Sequence, residues 1–123
     1  MILGIGIDLA DIEKIGESVK SEAFRRKVFT PDEITLCEAV ASSAEHYAGK
    51  FAAKEACMKA LGCGIRHEVW FTQIEVLNAA SGAPYIQFSG EAARLFNEMG
   101  AAKIHVSISH ADGMAVAMVI LEQ

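Results

Sequence analysis

The sequence predicts an α+β fold, a mostly antiparallel sheet packed against one long helix and several short ones. Three observations carry that prediction. Residues 2–8 alternate as a strand, with Leu3, Ile5 and Ile7 on one side and Ile2, Gly4, Gly6 and Asp8 on the other. From Ser42 to Leu61 no proline interrupts a run rich in Ala, Lys, Glu and Met, which are strong helix formers. Near the end, Lys103–His110 and Met114–Leu121 flank an Ala111-Asp112-Gly113 turn and read as a hairpin. Helices that precede and interrupt paired strands define the α+β class.

The elements follow in order. The first strand carries two glycines on one face, which allows a helix or another backbone to come close. Asp8 ends the strand on that same face, either as the N-cap of the next helix or as a metal ligand; both roles suit an aspartate there. Ala10 to Val28 reads as one or two short helices. Thr30 caps the next helix, with Pro31 at its first position and Glu33 completing a capping box. Glu33 is thereby given a structural role. That helix runs to about Val40, and Ser42-Ser43 form a polar break that can cap the long helix. A strand near Phe71–Leu77 and another at Pro84–Phe88 are joined through Ser81-Gly82. Ser89 caps a helix over about Gly90–Met99, which Gly100 ends.

With 123 residues the chain is a single domain spanning 1–123, large enough for a core yet modest in burial, so oligomerisation would help it. Hydrophobic residues at 52% and charged residues at 22% are an ordinary globular balance. No apolar run reaches membrane-spanning length, and the glycine-broken start lacks a basic segment, so it reads as a buried strand and not a signal peptide. Cys37, Cys57 and Cys63 lack paired metal-ligand spacing and read as reduced thiols of a cytoplasmic protein. A net charge of −5 argues against general nucleic-acid binding. Lys14, Lys20, Arg25, Arg26 and Lys27 nevertheless cluster, either as a solvated helix face or as a patch for an acidic partner.

Two stretches hold candidate chemistry. On the long helix Ala48, Phe51, Ala52, Glu55, Met58, Lys59 and Gly62 fall on one face. A carboxylate inside that apolar stripe needs a cation or hydrogen-bond donors, although a plain surface Glu55–Lys59 pair is also open. In the hairpin, alternation puts His105, Ser107 and Ser109 on one face, with His110 beside the turn. These groups suit solubility, and they also suit donation to a phosphate. A Ser-His-Asp hydrolase is a weaker reading, since no G-x-S-x-G elbow is present.

Taken in order, Gly6-Ile7-Asp8, Phe51-Ala52-Ala53-Lys54-Glu55-Ala56 with Lys59-Ala60-Leu61-Gly62, Gly82-Ala83-Pro84-Tyr85 and Val106-Ser107-Ile108-Ser109-His110 resemble the bacterial holo-acyl-carrier-protein synthases, small 4′-phosphopantetheinyl transferases. The resemblance spans essentially the whole chain. It implies transfer of 4′-phosphopantetheine from coenzyme A to a serine hydroxyl of apo-acyl carrier protein, with release of adenosine 3′,5′-bisphosphate. It also implies a homotrimer with active sites at subunit interfaces. Carried over by position, Asp8 and Glu55 match magnesium ligands, and Lys59 matches a phosphate-contacting lysine; these three form the catalytic set. Lys50, Lys59, Gly62, Gly64, Pro84, His105, Ser107, Ser109 and His110 would lie along coenzyme A, and Lys14, Lys20, Arg25, Arg26 and Lys27 would dock the acidic carrier.

The physical chemistry fits that assignment. Magnesium favours one or two carboxylates plus phosphate oxygens and water, and zinc would call for histidine or cysteine. Lys50 stands where the family often has arginine, which would turn a bidentate phosphate grip into a point-charge contact. Two rival readings use the same residues: a magnesium-dependent hydrolase of a nucleotide-like pyrophosphate, and a non-catalytic coenzyme-A-binding module.

Overall fold

Glycine decides how the first strand meets the long helix. Strand β1, Ile2–Asp11, lies along helix α4, Ser43–Leu61. A Cβ added at Gly4 would stand 2.1 Å from the Ala60 carbonyl oxygen, and one at Gly6 would stand 1.9 Å from that of Ala56. Two residues along the strand thus match four along the helix, because two strand steps of about 3.3 Å roughly equal four helical rises of about 1.5 Å. The small residues of α4 complete the contact, with Ala52, Ala53, Ala56 and Ala60 all buried.

The computed structural model describes residues 1–63 and 68–123. Between β1 and α4 lie three short helices, α1 (Ile12–Ser18), α2 (Glu22–Val28) and α3 (Pro31–Glu38). After α4 come a 3-10 turn at Phe71–Gln73, strands β2 (Ile74–Asn78) and β3 (Pro84–Phe88), helix α5 (Gly90–Glu98), and strands β4 (Lys103–Ala111) and β5 (Met114–Glu122). The strands form two antiparallel sheets, one ordered β1-β5-β4 and one pairing β2 with β3. The expected α+β architecture is what the chain adopts.

Several expectations are corrected in detail. The first strand continues past Asp8 to Asp11, and it is Asp11 whose carboxylate accepts the Lys14 N–H at 3.0 Å to cap α1. Asp8 is therefore no cap. The strand is also not buried on both sides, since Ile5, Ile7 and Leu9 are 61%, 57% and 61% exposed. Residues 71–73 turn before the next strand begins, and the Gln73 N–H donates to the Trp70 carbonyl. Ser42 and Ser89 occupy N-cap positions without making a side-chain capping bond. The capping box at Thr30 and Glu33 forms as expected.

Glu33 does more than cap. Its Oε1 accepts from the Thr30 N–H at 2.8 Å and from the Lys54 ammonium at 2.7 Å, while its Oε2 accepts from the Val76 N–H at 2.8 Å. Lys54 also donates to the Phe71 and Ile74 carbonyls, and both side chains are fully buried. Burial holds the Lys54 ammonium below the ordinary lysine range even though Glu33 opposes that shift. A charge pair out of water needs every remaining lone pair and proton satisfied, and this one ties α3, α4 and β2 together while meeting that condition.

Candidate active site

Asp8 follows Gly4 and Gly6 on the same side of β1, so the close strand–helix contact carries its carboxylate to α4. There the Lys59 ammonium donates to Asp8 Oδ1 at 3.0 Å and to the Ile7 carbonyl at 2.9 Å. Glu55, one turn before Lys59, shares that helix face. Its carboxyl is held above the ordinary range, first by burial, then by the charge of Asp8, with Lys59 acting in the opposite sense. The surface Glu55–Lys59 pair gives way to a three-residue cluster in which the lysine bonds to the strand. Among the described residues no group of three or more His, Cys, Asp or Glu side chains is arranged to hold a metal. Two crowded carboxylates and an adjacent ammonium suit a hard cation shared with phosphate oxygens better than they suit zinc.

The residues expected along coenzyme A separate into groups. Lys50, Pro84 and His110 line one cavity of about 180 Å³, together with His46, Gly49, Val76, Asn78, Gly82 and Ile108. The Lys50 ammonium, on a side chain only 4% exposed, donates to the Val76 carbonyl at 2.6 Å and to Asn78 Oδ1 at 3.2 Å. Burial lowers its proton affinity, partly restored by Cys37, Glu33 and Glu75. Gly49 lets the helix pack tightly here, since a Cβ would meet the side chains of Ile108 at 3.0 Å and His110 at 3.2 Å. His110 Nε2 lies 3.1 Å from the Glu45 carbonyl. Lys50 and Glu55 are five residues apart, which sets them about 140° around the helix axis. The cavity and the carboxylate cluster thus open on different sides of α4.

His105, Ser107 and Ser109 stand elsewhere, on the outer face of the three-stranded sheet, where His105 Nε2 is 3.0 Å from Glu122. That contact pulls the Glu122 carboxyl below its ordinary range. Gly62 closes α4 with φ 70°, its N–H donating to the Lys59 carbonyl and that of Cys63 to the Met58 carbonyl, a left-handed helix stop. Gly64 lies outside the described residues. The basic cluster is largely engaged within the chain: Lys20 pairs with Glu17 at 3.0 Å, Arg26 with Glu22 at 2.9 Å, and Arg25 donates to the Val19 carbonyl at 2.5 Å. All three cysteines are buried and unpaired, and burial pushes the Cys37 thiol up to about 12. His46 and Asn78 were not singled out in the sequence; helical spacing from Lys50 would have found His46, but Asn78 is brought in only by strand pairing.

The model of the 4′-phosphopantetheinyl transferase superfamily matches residues 4–119. The chain belongs to that superfamily. Among relatives of this transferase, the holo-[acyl-carrier-protein] synthase of Halothermothrix orenii is 43% identical over 125 residues, covering 100% of this chain and 99% of the relative. The crystal structure of the synthase from Neisseria meningitidis superposes with a TM-score of 0.89 at 31% identity and covers 100% of both chains. That of the Bacillus anthracis synthase, in complex with CoA (3′,5′-ADP), gives 0.82 at 37% identity, covering 99% of this chain and 97% of its own. The transferase fold therefore extends over the whole chain. No described helix is long and apolar enough to cross a membrane.

Proposed function

We propose that this chain moves the 4′-phosphopantetheine of coenzyme A onto a serine hydroxyl of an apo-acyl carrier protein, with magnesium held by Asp8 and Glu55, and releases adenosine 3′,5′-bisphosphate. The observation that carries this reading is the Asp8–Glu55–Lys59 cluster at the glycine-mediated contact of β1 with α4. Magnesium, when bound, supplies charge stabilisation at the phosphoryl oxygens. In the transfer, a bond forms from the carrier serine oxygen to the β-phosphorus, and the bond from that phosphorus to the bridging oxygen breaks. Lys59, three-donor and half exposed, stabilises the charge that develops on those oxygens. In this reading Glu55 is the carboxylate that accepts the serine proton.

Lys50, Pro84 and His110 take the nucleotide end of coenzyme A in this reading. Their cavity opens away from Glu55, which supports sites shared between subunits. The outer face of the three-stranded sheet supports a homotrimer too, since Ile5, Ile7, Leu9 and Met118 stand exposed there. Carrier docking on the α1–α2 side, by Lys14 and Lys27 with the paired Lys20, Arg25 and Arg26, completes the proposal, and a cytoplasmic setting accords with three free thiols.

Intact-protein mass spectrometry of an apo-carrier incubated with coenzyme A and magnesium tests the reaction. A gain of one phosphopantetheine, lost on chelation, is expected. Coenzyme A breakdown without carrier modification would overturn transfer in favour of hydrolysis.

A further inference from the structure

Helices α1 and α2 carry the basic cluster of the chain, yet their charges almost cancel. Residues 11–28 hold Lys14, Lys20, Arg25, Arg26 and Lys27 against Asp11, Glu13, Glu17 and Glu22, a net charge of +1. The acids are not scattered. The Lys20 ammonium donates to both carboxylate oxygens of Glu17, at 3.0 and 3.2 Å, and Glu22 meets the Arg26 guanidinium at 2.9 Å. Lys14 lies in a surface depression with Asp11, Glu13, Glu17 and Ser18. Arg25 is turned inward, onto the Val19 carbonyl. Lys20 and Arg26, the cations standing furthest into solvent in these pairs, are thus each covered by a glutamate of their own chain.

The exposure of these pairs decides what they can do. All four side chains are between 65% and 77% exposed. Ion pairs so open to water contribute little to stability and exchange readily. A carboxylate arriving on another protein therefore competes with Glu17 and Glu22 on nearly equal terms. We propose that Glu17 and Glu22 are specificity-determining residues for the protein substrate: they hold Lys20 and Arg26 in the free chain, and an acidic carrier docks by taking their place. The inference rests on the reading that the carrier docks on the α1–α2 side. Each glutamate acts twice, by occupying a cation and by setting a like charge against an acidic partner. A weakly acidic protein meets a surface near neutrality whose cations are already paired. A strongly acidic one supplies two carboxylates at once and completes the exchange.

Fluorescence anisotropy of a labelled apo-acyl carrier protein, titrated with the full chain at low ionic strength and without coenzyme A, tests this apart from turnover. Glu17→Gln combined with Glu22→Gln should tighten carrier binding about fivefold, the scale of two exposed ion pairs. The carrier KM should fall by the same factor in the mass assay, with the coenzyme A KM unchanged. Glu91→Gln combined with Glu98→Gln is the control, since it removes the same charge from the Arg94 cluster on α5; it should alter carrier binding less than about twofold. Equal tightening in both double variants would reduce the effect to net charge and overturn the assignment. Lys20→Glu combined with Arg26→Glu should weaken the carrier at least about tenfold. If it does so while the Glu17 and Glu22 variant binds as wild type, the exchange is refuted and docking on this side stands. If neither variant moves carrier binding, docking on the α1–α2 side falls and the exchange falls with it.

Discussion

Glu55 is the residue whose environment most constrains the chemistry. Burial and the neighbouring Asp8 raise its proton affinity, so the folded chain binds this proton more tightly than the unfolded chain does. Stability from this group is therefore fully present at low pH and is lost as pH rises through the raised value. Glu55→Gln should give a higher thermal midpoint than wild type at pH 8 in the metal-free protein, with the difference closing below about pH 4. The same variant should lose at least about a hundredfold in carrier modification, since it removes a ligand and a base together. Scanning calorimetry at the two pH values checks the first outcome and the mass assay the second. Equal midpoints at pH 8 would refute the crowding of the two carboxylates. Glu55 and Lys59 were legible in the sequence because helical spacing fixes their shared face. Asp8 was legible as a carboxylate on the glycine side of the strand, while its choice between cap and ligand needed the extra turn of strand that hands capping to Asp11.

At the scale of elements, the contact between β1 and α4 sets the site. Gly6 cannot be replaced without backbone movement, because the added Cβ would lie 1.9 Å from the Ala56 carbonyl oxygen. Gly6→Ala should cost about 3 kcal/mol of stability and displace Asp8 from Lys59, with a matching fall in activity. Gly62→Ala is the control. It meets no atom within 4 Å but must adopt φ 70°, so about 1 kcal/mol is expected with the β1–α4 contact unchanged. Denaturant unfolding of the pair decides; equal costs would show that the glycines of β1 do not mediate the contact. The strand glycines could be read from the sequence as permitting close approach. The identity of what approaches could not, since that depends on α4 folding back antiparallel to the strand. The Lys54–Glu33 pair shows the same limit: Glu33 was visible as a capping residue, and its partner 21 positions away was not.

For the whole molecule, the outer sheet face is the unfinished surface. Register places Ile7 opposite Met118 and Met118 opposite Ser107, with Ile5–Ile120 and Leu9–Val116 on the same face. Apolar rows of this kind call for cover. Ile7→Lys combined with Met118→Lys should turn a trimer into monomers by sedimentation velocity and lower carrier modification at least about tenfold if sites are shared between subunits. A monomeric wild type would refute the trimer, and a fully active monomeric variant would refute shared sites. The alternation that produces this face was readable, but the strand was expected to be buried. A two-sided apolar strand reads the same whether its second side meets its own chain or another.

The sequence by itself determined the local elements, the α+β class and the carboxylate–lysine set, because helix and strand periodicities and cap residues act over a few neighbours. It determined family membership through ordered motifs that the comparison bears out. Only the tertiary structure decided that the expected coenzyme A contacts split among a cavity, a helix terminus and an outer sheet face, and that Lys50 is anchored on β2. Those facts depend on packing between distant segments, where close approach, burial of charge and strand register act together.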